Sequence, residues 1–103
     1  MRAEIFVVTT EISRNIATNA YWTELEALKA EMIREFGGLT ETGTETGYWN
    51  DNGEICADTV KRWLIYSPSA DFFEIIEDFA KRIKKITSQK LQVFGIDGKL
   101  FSV

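Results

Sequence analysis

The residues best equipped for chemistry are three carboxylates, one arginine and a group of large aromatics. Glu41, Glu45 and Asp58 flank the turn Asn50-Asp51-Asn52-Gly53, so a hairpin is expected to bring them face to face. Carboxylates paired in this way can move protons or hold a hard cation, and they equally serve to keep an edge strand soluble. Arg62 interrupts the apolar run from Val60 to Tyr66. An arginine on such a strand needs a carboxylate partner or an anionic ligand, and Asp58 or a glutamate is the expected partner. Trp49 stands at the mouth of the hairpin, where large aromatics line ligand clefts and protein interfaces. Trp22, Tyr48, Trp49, Asp58 and Arg62 are the candidate ligand-binding residues.

Composition removes much of the remaining chemistry. The chain has no histidine, which excludes Ser-His-Asp and Cys-His catalysis, the usual zinc sites and a histidine-ligated haem. The single cysteine, Cys56, lies between Glu54 and Asp58 with no base nearby; acidic neighbours suppress the thiolate, so a small packed residue is expected. The turn at Asn50–Glu54 has some calcium-loop character but lacks the spacing of an EF-hand, and a hairpin accounts for it. No glycine pattern forms a phosphate loop. Neither metal nor cofactor is expected.

The elements that must position these residues follow from periodicity. Glu4–Thr10 is apolar on both parities and reads as a central strand, followed by a polar loop over Glu11–Ala20. Thr23 and Glu26 form a capping box, and Leu25, Leu28, Met32 and Phe36 form the apolar stripe of a helix that Gly37 and Gly38 end. Leu39–Trp49, rich in Thr, Glu and Gly, suits an edge strand. The third strand occupies part of Glu54–Tyr66, with its most apolar stretch at Val60–Tyr66. Ser67-Pro68-Ser69 breaks it and caps a second helix, whose buried stripe is Phe72, Ile76, Phe79, Ile83 and Ile86. Acids early and bases late in this helix complement its dipole, with Glu77–Lys81 and Asp78–Arg82 as pairs four apart. Leu91–Ile96 is the fourth strand, and after an Asp97-Gly98 turn Leu100–Val103 forms a short fifth.

This order predicts one α+β domain over residues 1–103: a ferredoxin-like βαββαβ plait, an antiparallel sheet with two helices on one face. Two helices cover one face only. The first and third strands are apolar on both parities, so the second face needs a cover, and a second copy of the chain is the expected one. A homodimer through the sheet is therefore predicted, with the loop and the C-terminal tail as the alternative cover.

Several residues fall in a familiar succession. Phe36-Gly37-Gly38-Leu39-Thr40 is followed by Gly47-Tyr48-Trp49, a polar turn with Gly53, Asp58, and Ser88-Gln89 before the fourth strand. Over residues 22–103 the chain resembles a group of small bacterial α+β proteins of unknown function. Their shared features are a Gly-Leu-Thr…Gly-x-Trp pattern and a Gln ahead of the last strand. Ser88 stands where that group's glycine is expected. The resemblance implies the fold and implies no activity.

Net charge is −4, the wrong sign for displacing counterions from phosphates, so no nucleic-acid partner is expected. No apolar run is long enough for a membrane span, and a cytoplasmic location is expected. Two main readings of function remain. One is a non-enzymatic binding or regulatory domain that self-associates through its sheet. The other is a small metal-free enzyme using Arg62 and a carboxylate in a cleft lined by Trp49. An acidic inhibitor that competes with nucleic acid is a third, and it requires the acids to cluster on one face.

Overall fold

Alternation along the first strand decides how the sheet is layered. In the computed structural model, which describes residues 1–9 and 18–103, β1 (Arg2–Val8) buries Ala3, Ile5 and Val7 on one side. Glu4, Phe6 and Val8 point to the other side and are half-buried. The first set faces the helices. The second forms part of a face that no helix among the described residues covers; the loop proposed as its alternative cover lies largely outside them.

β4 (Glu54–Tyr66) is the longest strand, at 13 residues. It runs antiparallel to β1 from Arg2↔Tyr66 to Val8↔Val60. Its first residues extend past this pairing and meet β3 (Glu45–Asp51) instead. The two make a hairpin arm closed by Asn52 and Gly53, both at positive φ (52° and 89°), as an Asn-Gly turn matched to strand twist requires. Asn50 Oδ1 accepts the Gly53 N–H at 2.8 Å.

The edge strand expected over Leu39–Trp49 is broken in two. β2 (Thr40–Glu41) pairs Glu41 with Trp63, whereas β3 starts by pairing Glu45 with Val60. Residues 42–44 therefore oppose only residues 61–62, and the extra residue is a β-bulge. Thr42 secures it: its N–H donates to Arg62 O at 2.9 Å, and its Oγ1 accepts the Arg62 N–H at 2.9 Å. The bulge reverses which side each later residue faces. Glu41 points to the helices and Glu45 to the open face.

On the other flank of β1 lies β5 (Val93–Ile96), with β6 (Lys99–Ser102) outside it. The order is β2-β4-β1-β5-β6, with β3 also beside β4. α1 (Thr18–Phe36) joins β1 to β2, and α2 (Phe72–Thr87) joins β4 to β5. This is the α+β ferredoxin-like plait with an added C-terminal strand, its two central strands the ones whose sequences are apolar on both parities. No helix among the described residues is long and apolar enough to cross a membrane.

Between helices and sheet lies a single core. Ile5, Trp63, Ile65 and Phe94 of the sheet meet Leu25, Leu28 and Met32 of α1 and Phe72, Ile76 and Ile83 of α2. Phe36 packs edge-on against Phe72, with ring centroids 5.5 Å apart. Arg82, expected to pair with Asp78 in its own helix, reaches across to α1 and grips Glu31 with two bonds of 2.9 and 2.6 Å. A fork of that shape satisfies both carboxylate oxygens at once, which a neighbour on the same helix could not match. The Glu77–Lys81 pair forms, at 3.7 Å.

Several boundaries differ from the sequence reading: β1 is Arg2–Val8 where Glu4–Thr10 is expected, β5 begins at Val93 rather than Leu91, and β6 is Lys99–Ser102 rather than Leu100–Val103. α1 begins at Thr18, not Thr23, because nothing in Thr18-Asn19-Ala20-Tyr21-Trp22 breaks a helix; Thr23 and Glu26 are interior, and Glu26 pairs with Lys29 at 2.8 Å. Of the loop expected over Glu11–Ala20, residues 11–17 lie outside the described residues, as does Thr10. The serines before α2 do not cap it directly. Ser67 Oγ accepts from the Ser69 N–H and Ser69 Oγ from the Asp71 N–H, so they shape the approach, and Asp71 occupies the cap without a side-chain bond.

Glu41 ties the edge of the sheet to α1. It accepts from Trp63 Nε1 at 2.8 Å and lies 3.0 Å from Lys29 Nζ and 3.6 Å from Lys61 Nζ. Partial burial works against its charge, but the bonds from Lys29 and Trp63 outweigh it and hold the carboxyl below the usual glutamate value. The folded chain therefore binds fewer protons here than the unfolded chain. This contribution is present above pH 4.5, the ordinary glutamate value, and is lost as pH falls through the folded pKa. Urea midpoints taken from neutral to about pH 3 should fall on acidification, and Glu41→Gln should flatten part of that fall. Ile5→Ala should cost about 3 kcal/mol in urea unfolding and Val8→Ala about 1, because only the first empties the sealed core.

Candidate functional site

The face left uncovered by the described residues carries a trough of about 1060 Å³, just above the usual range for small-molecule sites. Phe6, Val8 and Val60 form its floor, adjacent on β1 and β4 through the Val8↔Val60 pairing. The hairpin arm makes one wall, with Gly47 and Trp49 lining it. The stretch from Thr87 to Gln92, after α2, makes the other. Asp51 on the arm and Lys90 on the opposite wall approach to 3.8 Å, a weak contact because the lysine is exposed.

Ser88 turns the chain from α2 into that second wall. It adopts the left-handed conformation (φ 54°), and its N–H reaches the carbonyls of Lys84 and Lys85. Glycine is the usual residue in this conformation. Gln92 then anchors the wall to the sheet. Its backbone exchanges two bonds with Val103, of 3.1 and 3.0 Å, and its amide nitrogen donates to Phe6 O and Val93 O. Those two acceptors fix which end of the amide is nitrogen. Gln92 Oε1 is a buried acceptor without a partner among the described residues.

Of the residues singled out in the sequence, four line the trough: Tyr48, Trp49, Asp58 and Arg62. Trp22 does not; it stands on α1, away from the trough-lining residues. Asp58 is 5% exposed, and Trp49 is 40% exposed with its indole N–H donating to Asp58 Oδ2 at 2.7 Å. The acid thus fixes the ring by its N–H, and part of the residue stays exposed. Tyr48 lies on the other parity of β3 and is largely exposed, at the border of the trough.

Arg62 is paired, but not with Asp58. Its Nε donates to Glu45 Oε1 at 2.7 Å and its Nη1 to Glu4 Oε2 at 3.2 Å. The bond from Glu45, then that from Glu4, hold the guanidinium above its ordinary pKa, so it stays charged. Gly95 makes room for this arrangement. It is the partner of Glu4 across β1 and β5, and a Cβ there would lie 3.2 Å from Glu4 Cγ.

Glu41, expected with Glu45 and Asp58, is absent from this set, since the bulge turns it to the helix side. Glu4 takes a place there that the sequence did not reveal; its only signal was strict alternation with Ala3 and Ile5. Among the described residues four carboxylates (Glu4, Glu45, Asp51, Asp58) and two cations (Arg62, Lys90) line the trough, a lining of net negative charge. Cys56 lies opposite Trp49, partly exposed, with no disulfide partner. Among the described residues no group of three or more His, Cys, Asp or Glu side chains is placed to hold a metal ion. The arrangement offers an apolar floor, an oriented indole and charged groups of both signs: the means to bind a molecule with a flat ring and charged ends.

No protein-family model matches the chain, and no curated protein matches its sequence. Solved structures do share its fold. A phage SAM lyase in complex with S-methyl-5'-thioadenosine superposes with a TM-score of 0.65 at 14% identity, over 99% of this chain and 87% of the other. A phage SAM lyase in the apo state gives 0.66 at 13% identity, over 99% and 86%. A divalent cation tolerance protein (Cut A1) from Thermus thermophilus gives 0.54 at 12% identity, over 100% and 82%. At these identities the likeness is one of fold.

Asp58→Ala should release the indole of Trp49. The expected result is a loss of about 1–2 kcal/mol in unfolding free energy and a red shift of tryptophan emission. Asp58→Asn, which keeps an acceptor, should show less of both.

Proposed function

We propose that the chain is a small-molecule-binding domain and that the trough on its uncovered face takes a cationic nucleoside, of which S-adenosylmethionine is the type. One observation carries this reading: a buried carboxylate orients an indole on the wall of an apolar, net-negative trough. A flat base can stack on the ring of Trp49, and a sulfonium centre is favoured where carboxylates outnumber cations. The fold shared with a SAM lyase over nearly the whole chain supports the choice of this cation over others.

A second copy of the chain belongs to the same proposal. Ligand sites usually bury most of the ligand's surface, and the described residues leave this trough open on one side. Exposed Leu91 and Leu100 lie along it, 58% and 65% accessible, and apolar side chains so placed suit a cover. The expectation of self-association through the sheet acquires a reason here: a partner over this face would roof the site. No nucleic-acid partner is proposed. A cytoplasmic location goes with the reading, since adenosyl sulfonium compounds are made and used inside cells.

The shared fold also favours a second reading, cleavage of the sulfonium compound. An oxygen of the ligand's own α-carboxylate attacks the γ-carbon as its bond to sulfur breaks, closing a lactone and expelling a neutral thioether, so neither the nucleophile nor the leaving group needs a proton moved. A chain without histidine could support that step by orientation and electrostatics alone.

Titration calorimetry with S-adenosylmethionine, followed by chromatography of the same mixture, tests both readings. Saturable binding that Trp49→Ala weakens at least tenfold, with the ligand recovered intact, supports the binding domain. Release of S-methyl-5'-thioadenosine at a rate proportional to protein supports the lyase. Absence of binding at millimolar ligand would contradict the proposal. Light scattering should show the dimer, and a strict monomer with and without ligand would remove self-association from it.

A further inference from the structure

Arg62 sits between two carboxylates on the uncovered face, and this arrangement has a use beyond holding strands together. Arg62 Nε bonds Glu45 and Nη1 bonds Glu4, which occupies two of the five guanidinium N–H donors. Its side chain remains 35% exposed, and the trough reaches all three residues. Among the described residues the group therefore keeps three donors unoccupied beside two acceptors with free lone pairs, Glu45 49% and Glu4 17% exposed.

We infer that Arg62, Glu4 and Glu45 form a subsite for the zwitterionic head of an α-amino acid. The free guanidinium donors take the α-carboxylate, and the Glu45 and Glu4 carboxylates take the α-ammonium. Three features of the site fit this ligand chemistry. Neighbouring charges of both signs match a zwitterion, whereas a simple anion would meet two carboxylates and a simple cation would meet the arginine. Planar guanidinium donors suit a carboxylate better than a point charge does. The bulge at residues 42–44 puts Glu45 on this face, and Gly95 leaves room for Glu4 across β5, so the positions are built by the backbone.

The inference deepens the proposed function and rests on the trough being the ligand site. Arg62 lies four residues along β4 from Asp58, roughly 13 Å at the rise of an extended strand. That separation places the amino-acid head at one end of the trough and the stacked base beside Trp49 at the other. A molecule carrying both, joined by a short chain, would bridge them.

The test compares ligands on the wild-type protein and then on variants. Calorimetry is run with S-adenosylmethionine, with its decarboxylated analogue and with S-methyl-5'-thioadenosine, which lacks the amino-acid head. The wild-type chain should bind S-adenosylmethionine at least tenfold more tightly than the decarboxylated analogue. In Arg62→Gln this ratio should fall close to one, and Arg62→Lys should restore only part of it. Glu45→Gln should weaken S-adenosylmethionine while leaving S-methyl-5'-thioadenosine unchanged. Equal wild-type affinity for the three ligands overturns the subsite and leaves the trough reading standing. Failure of all three to bind overturns both. The wild-type comparison needs no variant, so a poorly folding Arg62→Gln does not remove the test.

Discussion

Two helices can seal one face of a five-wide sheet, and the remaining features follow from how the other face is managed. Its central strands, β1 and β4, are paired along both edges and carry apolar residues on both parities where they meet. On the sealed side this produces the core around Ile5, Trp63 and Phe94. On the other side the same strands present Phe6, Val8 and Val60, which water would meet if nothing stood beside them. The chain responds with two walls and a charged row, and the space between the walls is the trough.

The walls have separate origins. β4 is longer than β1, so its first half projects past the central sheet and, with β3, forms the hairpin arm. The left-handed turn at Ser88 directs residues 88–92 back across the end of β1, where the Gln92 amide bonds Phe6 O. Each wall depends on a residue whose role is backbone geometry: Asn52-Gly53 for the arm, Ser88 for the return. The charged row of Glu4, Arg62 and Glu45 lies between them. It satisfies an arginine on a central strand without an external partner, yet keeps part of its donor set unoccupied among the described residues.

Much of the fold could be read in the sequence, because hydrophobic period and turn chemistry agreed from element to element. The stripe at Leu25, Leu28 and Met32, the stripe at Phe72, Ile76 and Ile83, and the Asn-Gly turn each specify their element locally. The site was legible only in part. Trp49, Asp58 and Arg62 stood out by type, and they do line one trough. Their pairing was not legible, since Arg62 chooses Glu4 and Glu45 while Asp58 chooses Trp49. The cause is the bulge at residues 42–44. One extra residue reverses the facing of everything after it, and its one sign in the sequence is Gly43, since a glycine inside a strand often marks a bulge. Glu41 thereby faces away from Glu45. Glu4 gives no local sign of its role, because its partner lies 58 residues away in sequence, beyond the reach of any local pattern.

The central claim is that the uncovered face is where a ligand enters. Mapping NMR amide and tryptophan-indole shifts during titration with S-adenosylmethionine addresses it directly. The account predicts progressive, saturable changes at Phe6, Val8, Trp49, Val60 and Arg62, with the outer surfaces of α1 and α2 unaffected. Changes confined to those helix surfaces, or none anywhere on the uncovered face, would contradict it.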